Sequence, residues 1–175
     1  ETFKFYCALP ALGLEEAKRQ ARARFPPKEG GGDWSIVMPH VRSHAINKAR
    51  QTSFCDGKEP LEIPKGSDPG FACCVGTRLM GANNSHRHVF NGGLYEVTGL
   101  CPLQLQGEDG TTFELSAEQV SKHQRLAHAV TFPSIQGRTL QGTVGVYDLD
   151  SKHFTTRHLY IGISRATHGS LIHVY

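Results

Sequence analysis

The side chain best placed to do chemistry in this sequence is an arginine near its end. The stretch RHLYIGISRATHGSLIHVY (157–175) sets Arg165 between two apolar runs, directly after Ser164. Arginine stays protonated and presents a rigid fork of donors, so its chemistry is recognition of phosphate or carboxylate. The plainer alternative is a solvated residue at the end of an element. A second candidate is QGRTL, within PSIQGRTLQGTVGVYDLD. Gln136 both donates and accepts, Gly137 lets a backbone approach a ligand closely, and Thr139 offers a hydroxyl. Such a loop can cradle phosphate oxygens through its N–H groups. In the simplest case it is only a turn ahead of a strand.

What is missing narrows the chemistry. A phosphate loop able to stand alone needs G-x-x-x-x-G-K-[ST]. The one Gly-Lys pair, Gly57-Lys58, is followed by Glu59 and has no glycine five residues before it. The chain thus lacks the part that grips the β- and γ-phosphates of a nucleotide. It offers no Ser/His/Asp order and no paired carboxylates. His86 and His88 stand in HRH without a second ligand pair, so no metal site is expected. Cys7, Cys55, Cys73, Cys74 and Cys101 are odd in number and form no CxxC. They read as reduced thiols of an intracellular protein.

The elements that must carry these residues read as α/β at both ends of the chain and all-β in the middle. LGLEEAKRQARARF is a helix with Leu14, Ala17, Ala21 and Phe25 on one stripe, Lys18, Arg19 and Arg22 away from it, and Pro26-Pro27 as its stop. DWSIVMP is a short buried strand, and RSHAINKARQTSF a helix with Ser43 as N-cap. Residues 55–70 are rich in turn formers and read as loop. LYEVTGL, LQLQ and TTFELS read as strands of a small sheet or barrel, LAHAVTF as another strand, GTVGVYDLD as a strand with Val144 and Val146 on one face, and SLIHVY as the last. AEQVSKHQ is too short to assign. Leu159, Tyr160 and Ile163 fall at helical spacing, with Gly169 as a possible cap. At 175 residues the chain has room for one domain with a small insertion. No run approaches the roughly 20 apolar residues of a membrane span. There is no signal peptide pattern, and the first residue is Glu1 rather than Met, so the expectation is a piece of a longer protein. A formal charge of +3 permits nucleic-acid binding without arguing for it.

Four segments in order change this reading: SIVMPHVRSHAINKARQ, VGTRLMGANNSHRHVFNGGLYEV, AVTFPSIQGRTL and LYIGISRA. Together they resemble the second RecA-like domain of superfamily 1B helicases, the RecD/Pif-like group, over residues 34–175. The resemblance implies an α/β fold: a RecA-like parallel sheet with flanking helices and an inserted small SH3-like β-barrel. The domain would run over 1–92, the insertion over 93–124, and the remainder, with motifs V and VI, over 125–175. It further implies that Arg165 is the motif VI arginine finger, reaching the γ-phosphate of ATP held with Mg by a first RecA-like domain N-terminal to this one. Gln136 and Gly137 match motif V, between nucleotide and single-stranded DNA, and Thr131 matches its phosphate-contacting threonine. Asn91-Gly92 suits a type I′ hairpin. The implied function is the C-terminal motor domain of an ATP-dependent DNA helicase, with single-stranded DNA as partner, in cytoplasm or nucleus or, for a viral replication helicase, in the host cell.

The departures open other readings. The usual HKS before QG is Pro133-Ser134-Ile135 here, so the His and Lys that touch the DNA backbone in relatives are missing, and Pro133 has no N–H. Contact through this loop then falls to Ser134 and Arg138, the latter a substitute for the lost lysine. Arg42 is a second phosphate or DNA contact, or a surface residue at a helix start. A non-catalytic, degenerate helicase-like nucleic-acid-binding module is the alternative, and an interaction protein using the basic helix at 14–25 a third. The insertion supplies only Tyr95 and Phe113 for base stacking, and either ring can be core.

Overall fold

β1 (Trp34–Val37) is buried along its whole length, as strands inside a parallel sheet are. It pairs in parallel with β9 (Ala129–Thr131) on one side and β10 (Val144–Val146) on the other, and β11 (Ile172–Val174) extends the sheet in the order β11-β10-β1-β9. The computed structural model describes residues 2–66 and 69–175; Glu1, and Ser67 and Asp68 of the expected 55–70 loop, lie outside the described residues. The chain divides into two compact units. One runs to Ser43 and resumes over Ala129–Tyr175; the other is His44–His128.

The first unit holds the parallel sheet with α1 (Thr2–Ala8), α2 (Leu14–Arg24), α5 (Thr156–Ile163) and the first residues of α3 (His40–Phe54). α2 buries Ala17 and Ala21 as its stripe requires, but also Lys18, whose ammonium is held by Glu15 at 2.7 Å. α1 escapes the sequence reading. It is docked by the Tyr6 hydroxyl donating to Ile163 O and by Phe5 edge-on to Phe25. Ser43 is not a cap. It lies inside α3, where its buried hydroxyl donates to Ala129 O and so ties the helix to the sheet.

The second unit is built on a five-stranded antiparallel sheet of β4 (Arg78–Gly81), β5 (Leu94–Leu100), β6 (Leu103–Gly107), β7 (Thr112–Glu114) and β8 (Gln124–Leu126), ordered β7-β6-β5-β4-β8. β7 and β8 are its edges, so strand pairing does not close the barrel. The hairpin of β2 (Leu61–Ile63) and β3 (Phe71–Cys73) and the helix α4 (Ala117–His123) complete the unit, around a core that includes Leu79, Val97, Leu105 and Val120. α4 begins with a capping box, Ser116 and Gln119 each bonding the other's backbone N–H. The unit, His44–His128, is wider than the 93–124 insertion: β4 lies outside that range and pairs with β8, which begins at its last residue. The expected single strand LAHAVTF is two: β8 ends the antiparallel sheet and β9 joins the parallel one.

Two local expectations are corrected. Gly93 N bonds Phe90 O across Asn91-Gly92, and Gly92 takes φ +76° while Asn91 stays negative. That is a type II pattern, not I′, which needs both residues left-handed. Cys55 and Cys74 form a disulfide rather than standing as reduced thiols. The fold brings the end of α3 and the residue after β3 to a Cα separation of 6.0 Å, within bridging range.

Candidate functional site

α5 positions the candidate arginine. Its N-terminus is fixed by a capping box between Thr155 and His158, and Leu159, Gly162 and Ile163 face inward. Gly162 is required by the close approach: a Cβ there would lie 3.0 Å from Val146 Cγ2 and 3.1 Å from Phe132. This seats α5 on β10 and on the 3-10 turn Phe132–Ile135. The chain then leaves the helix at Ser164-Arg165 beside the loop that follows that turn. Leu140 N donates to Arg165 O at 2.8 Å, fixing the backbone as well.

The structure therefore brings Arg165 together with the QGR loop. Arg165 Nη1 donates to Arg138 O at 2.9 Å, and Nη2 to Ser164 Oγ at 2.7 Å. Among the described residues no carboxylate pairs with it; its acceptors are the hydroxyl of Ser164 and backbone carbonyls. Gln136, Gly137 and Thr139 are exposed next to it. The Tyr6 phenol lies near; burial and Tyr160 push its pKa up, and the charge of Arg165 acts the other way.

The remaining candidates divide. Thr131 is only 5% exposed, at the carboxyl end of β9; its hydroxyl faces Ser134, whose own hydroxyl donates to Thr131 O at 2.8 Å. Each of these hydroxyls thus has a partner inside the turn. Arg42 pairs with Asp148 and lies over the Tyr147 ring at 5.5 Å. Asp148 also accepts from Met38 N at 2.9 Å, from a left-handed backbone at φ +64°. Arg42 is thus neutralised in place, outside the carboxyl ends of β1 and β10. The crevice at the carboxyl ends of the strands is where open α/β sheets bind ligands. The basic face of α2 is neutralised too, Arg19 by Glu16 and Arg22 by Asp150. Among the described residues no three His, Cys, Asp or Glu side chains converge to hold a metal ion, and no helix is long and apolar enough to cross a membrane. Sequence reasoning missed Ser164 and Asp148. Ser164 adjoins Arg165 in sequence and was open to inspection; Asp148 is far from Arg42 and gave no signal.

A four-stranded parallel sheet, α5 and its arginine, and an antiparallel sheet inserted between β1 and β9 define a RecA-like α/β domain with an insertion. No family model matches the chain, and no curated protein does. Solved structures do. The chain is similar to Bacteroides Pif1 bound to ssDNA, with a TM-score of 0.69 at 17% identity, covering 99% of this chain and 48% of that one. It is similar to Pif1 helicase from Bacteroides in complex with ADP-AlF3 and ssDNA, with a TM-score of 0.66 at 19% identity, covering 98% and 48%. It is also similar to Pif1 helicase from Candida albicans, with a TM-score of 0.61 at 15% identity, covering 98% and 52%. The chain shares the fold of these Pif1 structures and spans about half the length of the solved chains it matches.

Proposed function

We propose that the chain is the C-terminal motor domain of an ATP-dependent DNA helicase that translocates on single-stranded DNA. The observation that carries this is Arg165, a part-buried cation with only neutral acceptors, set beside the exposed Gln136, Gly137 and Thr139. These groups suit an anion of phosphate type: a permanent charge, an amide, a backbone N–H and a hydroxyl. ATP with Mg, held mainly by a first RecA-like domain, would supply the phosphoryl group. Arg165 would neutralise its developing charge, and Gln136 and Gly137 would line the nucleotide edge. Ser134, Thr131, Arg138 and Arg42 are the nucleic-acid side of this reading. Of these, Thr131 and Ser134 first have to give up their mutual contact, and Arg42 its Asp148 partner.

The test is the ATPase rate of the protein that carries this chain, with single-stranded DNA present. Arg165→Ala should lower it about 10³-fold or more, the range for arginine fingers in related enzymes. An unchanged rate would refute the assignment. The chain alone, without a phosphate loop, should not hydrolyse ATP. The second reading, a non-catalytic nucleic-acid-binding module, draws on Pro133, which denies the motif V turn an N–H donor. It predicts DNA binding by the chain and no effect of Arg165→Ala on any ATPase.

A further inference from the structure

Arg165 does not point away from the chain. Its Nη1 donates to Arg138 O at 2.9 Å and to Ile135 O at 3.5 Å. Nη2 and Nε donate to Ser164 Oγ at 2.7 and 3.2 Å, and Nε also to Ile161 O at 3.0 Å. All three guanidinium nitrogens are engaged. A guanidinium is a rigid planar fork, and each of its three nitrogens spends at least one N–H on the chain, so a phosphate takes the whole fork only by displacing these acceptors. Two of the acceptors, the carbonyls of Ile135 and Arg138, flank Gln136 and Gly137. The groups that hold the arginine and the groups that face solvent for a ligand therefore belong to one short turn.

That turn is lightly held. Gln136 N bonds Pro133 O at 3.4 Å and Arg138 N bonds Ile135 O at 3.1 Å, both toward the long side of N–H···O bonds. Gly137 takes φ +77°, and a Cβ there would meet nothing within 4 Å. The turn is thus open on its solvent side, where Gln136 and Gly137 are exposed.

The geometry points to a latch: the Ile135–Arg138 turn and Ser164 hold Arg165 retracted, and a nucleic-acid phosphate bound at Ser134 and Arg138 shifts the turn and frees the guanidinium for a nucleotide phosphate at Gln136 and Gly137. The inference rests on the proposed function, and it makes Ser164 a positioning residue. Linkage makes the effect reciprocal: a nucleotide phosphate that captures Arg165 tightens nucleic-acid binding by the same factor.

Ser164→Ala tests it, because it removes one acceptor of the latch and leaves Arg165 and the turn in place. The ATPase of the protein carrying this chain is measured with and without a thymidine homopolymer. Without DNA the rate should rise about tenfold or more, because Ser164 Oγ accepts two hydrogen bonds from the charged guanidinium. Stimulation by DNA should shrink in proportion. A DNA-free rate that stays equal or falls, with stimulation intact, overturns the latch. A second measurement needs no activity: solvent exchange of the Arg165 Nε–H, followed by NMR on this chain. It should be protected in the native chain and faster in Ser164→Ala. Exchange at the rate of an exposed arginine in the native chain overturns the latch whatever the ATPase does. An Arg165→Ala variant with normal ATPase would instead remove the proposed function, so the two failures are distinguishable.

Discussion

His128 gives a prediction whose size can be worked out from its surroundings. It closes the second unit, only 8% exposed, with its Nε2 2.7 Å from Gln51 Oε1. Gln51 in turn donates to Ala72 O and Thr77 Oγ1, each at 2.8 Å. Burial, with smaller contributions from Arg78 and Arg50, lowers the imidazole pKa to about 4. The native state therefore holds His128 neutral, whereas the unfolded chain protonates it near its ordinary value of about 6.5. The sign follows from linkage. The unfolded state binds the extra proton, so this contribution to stability is complete above pH 6.5 and is lost as pH falls from there toward 4. At about 1.4 kcal/mol per pH unit, the loss is roughly 2 kcal/mol by pH 5 and about 3 kcal/mol by pH 4.

The clean comparison is with His128→Gln, which keeps a donor for Gln51 but cannot titrate. Urea unfolding of both proteins, followed by far-UV circular dichroism between pH 7 and 4, gives the difference in stability at each pH. Acid effects from other groups are common to both chains and cancel. The wild type should lose about 3 kcal/mol relative to the variant across that range, with most of the change below pH 6. Parallel profiles would mean that His128 is solvated or charged in the native state, and would refute the burial argument.

Reducing the disulfide between Cys55 and Cys74, 19 positions apart, should cost the second unit about 3 kcal/mol by the loop-entropy estimate. Urea unfolding with and without a dithiol reports it, and a Cys55→Ser/Cys74→Ser double variant should be insensitive to the reductant. Gly162→Ala should be destabilising by about 1–3 kcal/mol through overpacking, because its Cβ would press Val146 and Phe132. A thermal melt with an unchanged midpoint would show that α5 can lift from β10 at no cost.

Much of the fold was legible, for a physical reason. Buried parallel strands such as WSIV and VGV are short apolar runs, and a helix such as α2 writes its stripe into the sequence. What stayed hidden depends on tertiary partners. α1 is seven residues long and is held by Tyr6 and Phe5 rather than by its own propensity. LAHAVTF splits because its two halves pair in different sheets, which no local pattern records. The Ser116–Gln119 capping box was visible as S-x-x-Q and would have supported α4.

The site was legible to a different degree, and its two arginines show where the limit lies. In sequence, Arg42 and Arg165 look alike: each follows or ends an apolar strand or helix in a segment that resembles a helicase motif. In the fold Arg42 meets the carboxylate of Asp148, more than a hundred residues away along the chain, so its charge is already matched. Among the described residues Arg165 meets only a hydroxyl and the carbonyls of Ile135, Arg138 and Ile161. A carbonyl belongs to every residue type, so no sequence pattern could have announced those partners. Yet carbonyls are weaker competitors than a phosphate for a guanidinium, because a phosphate adds the attraction of opposite charges and a bidentate fit to the same N–H donors. The arginine whose partners are all neutral is therefore the one free to change them.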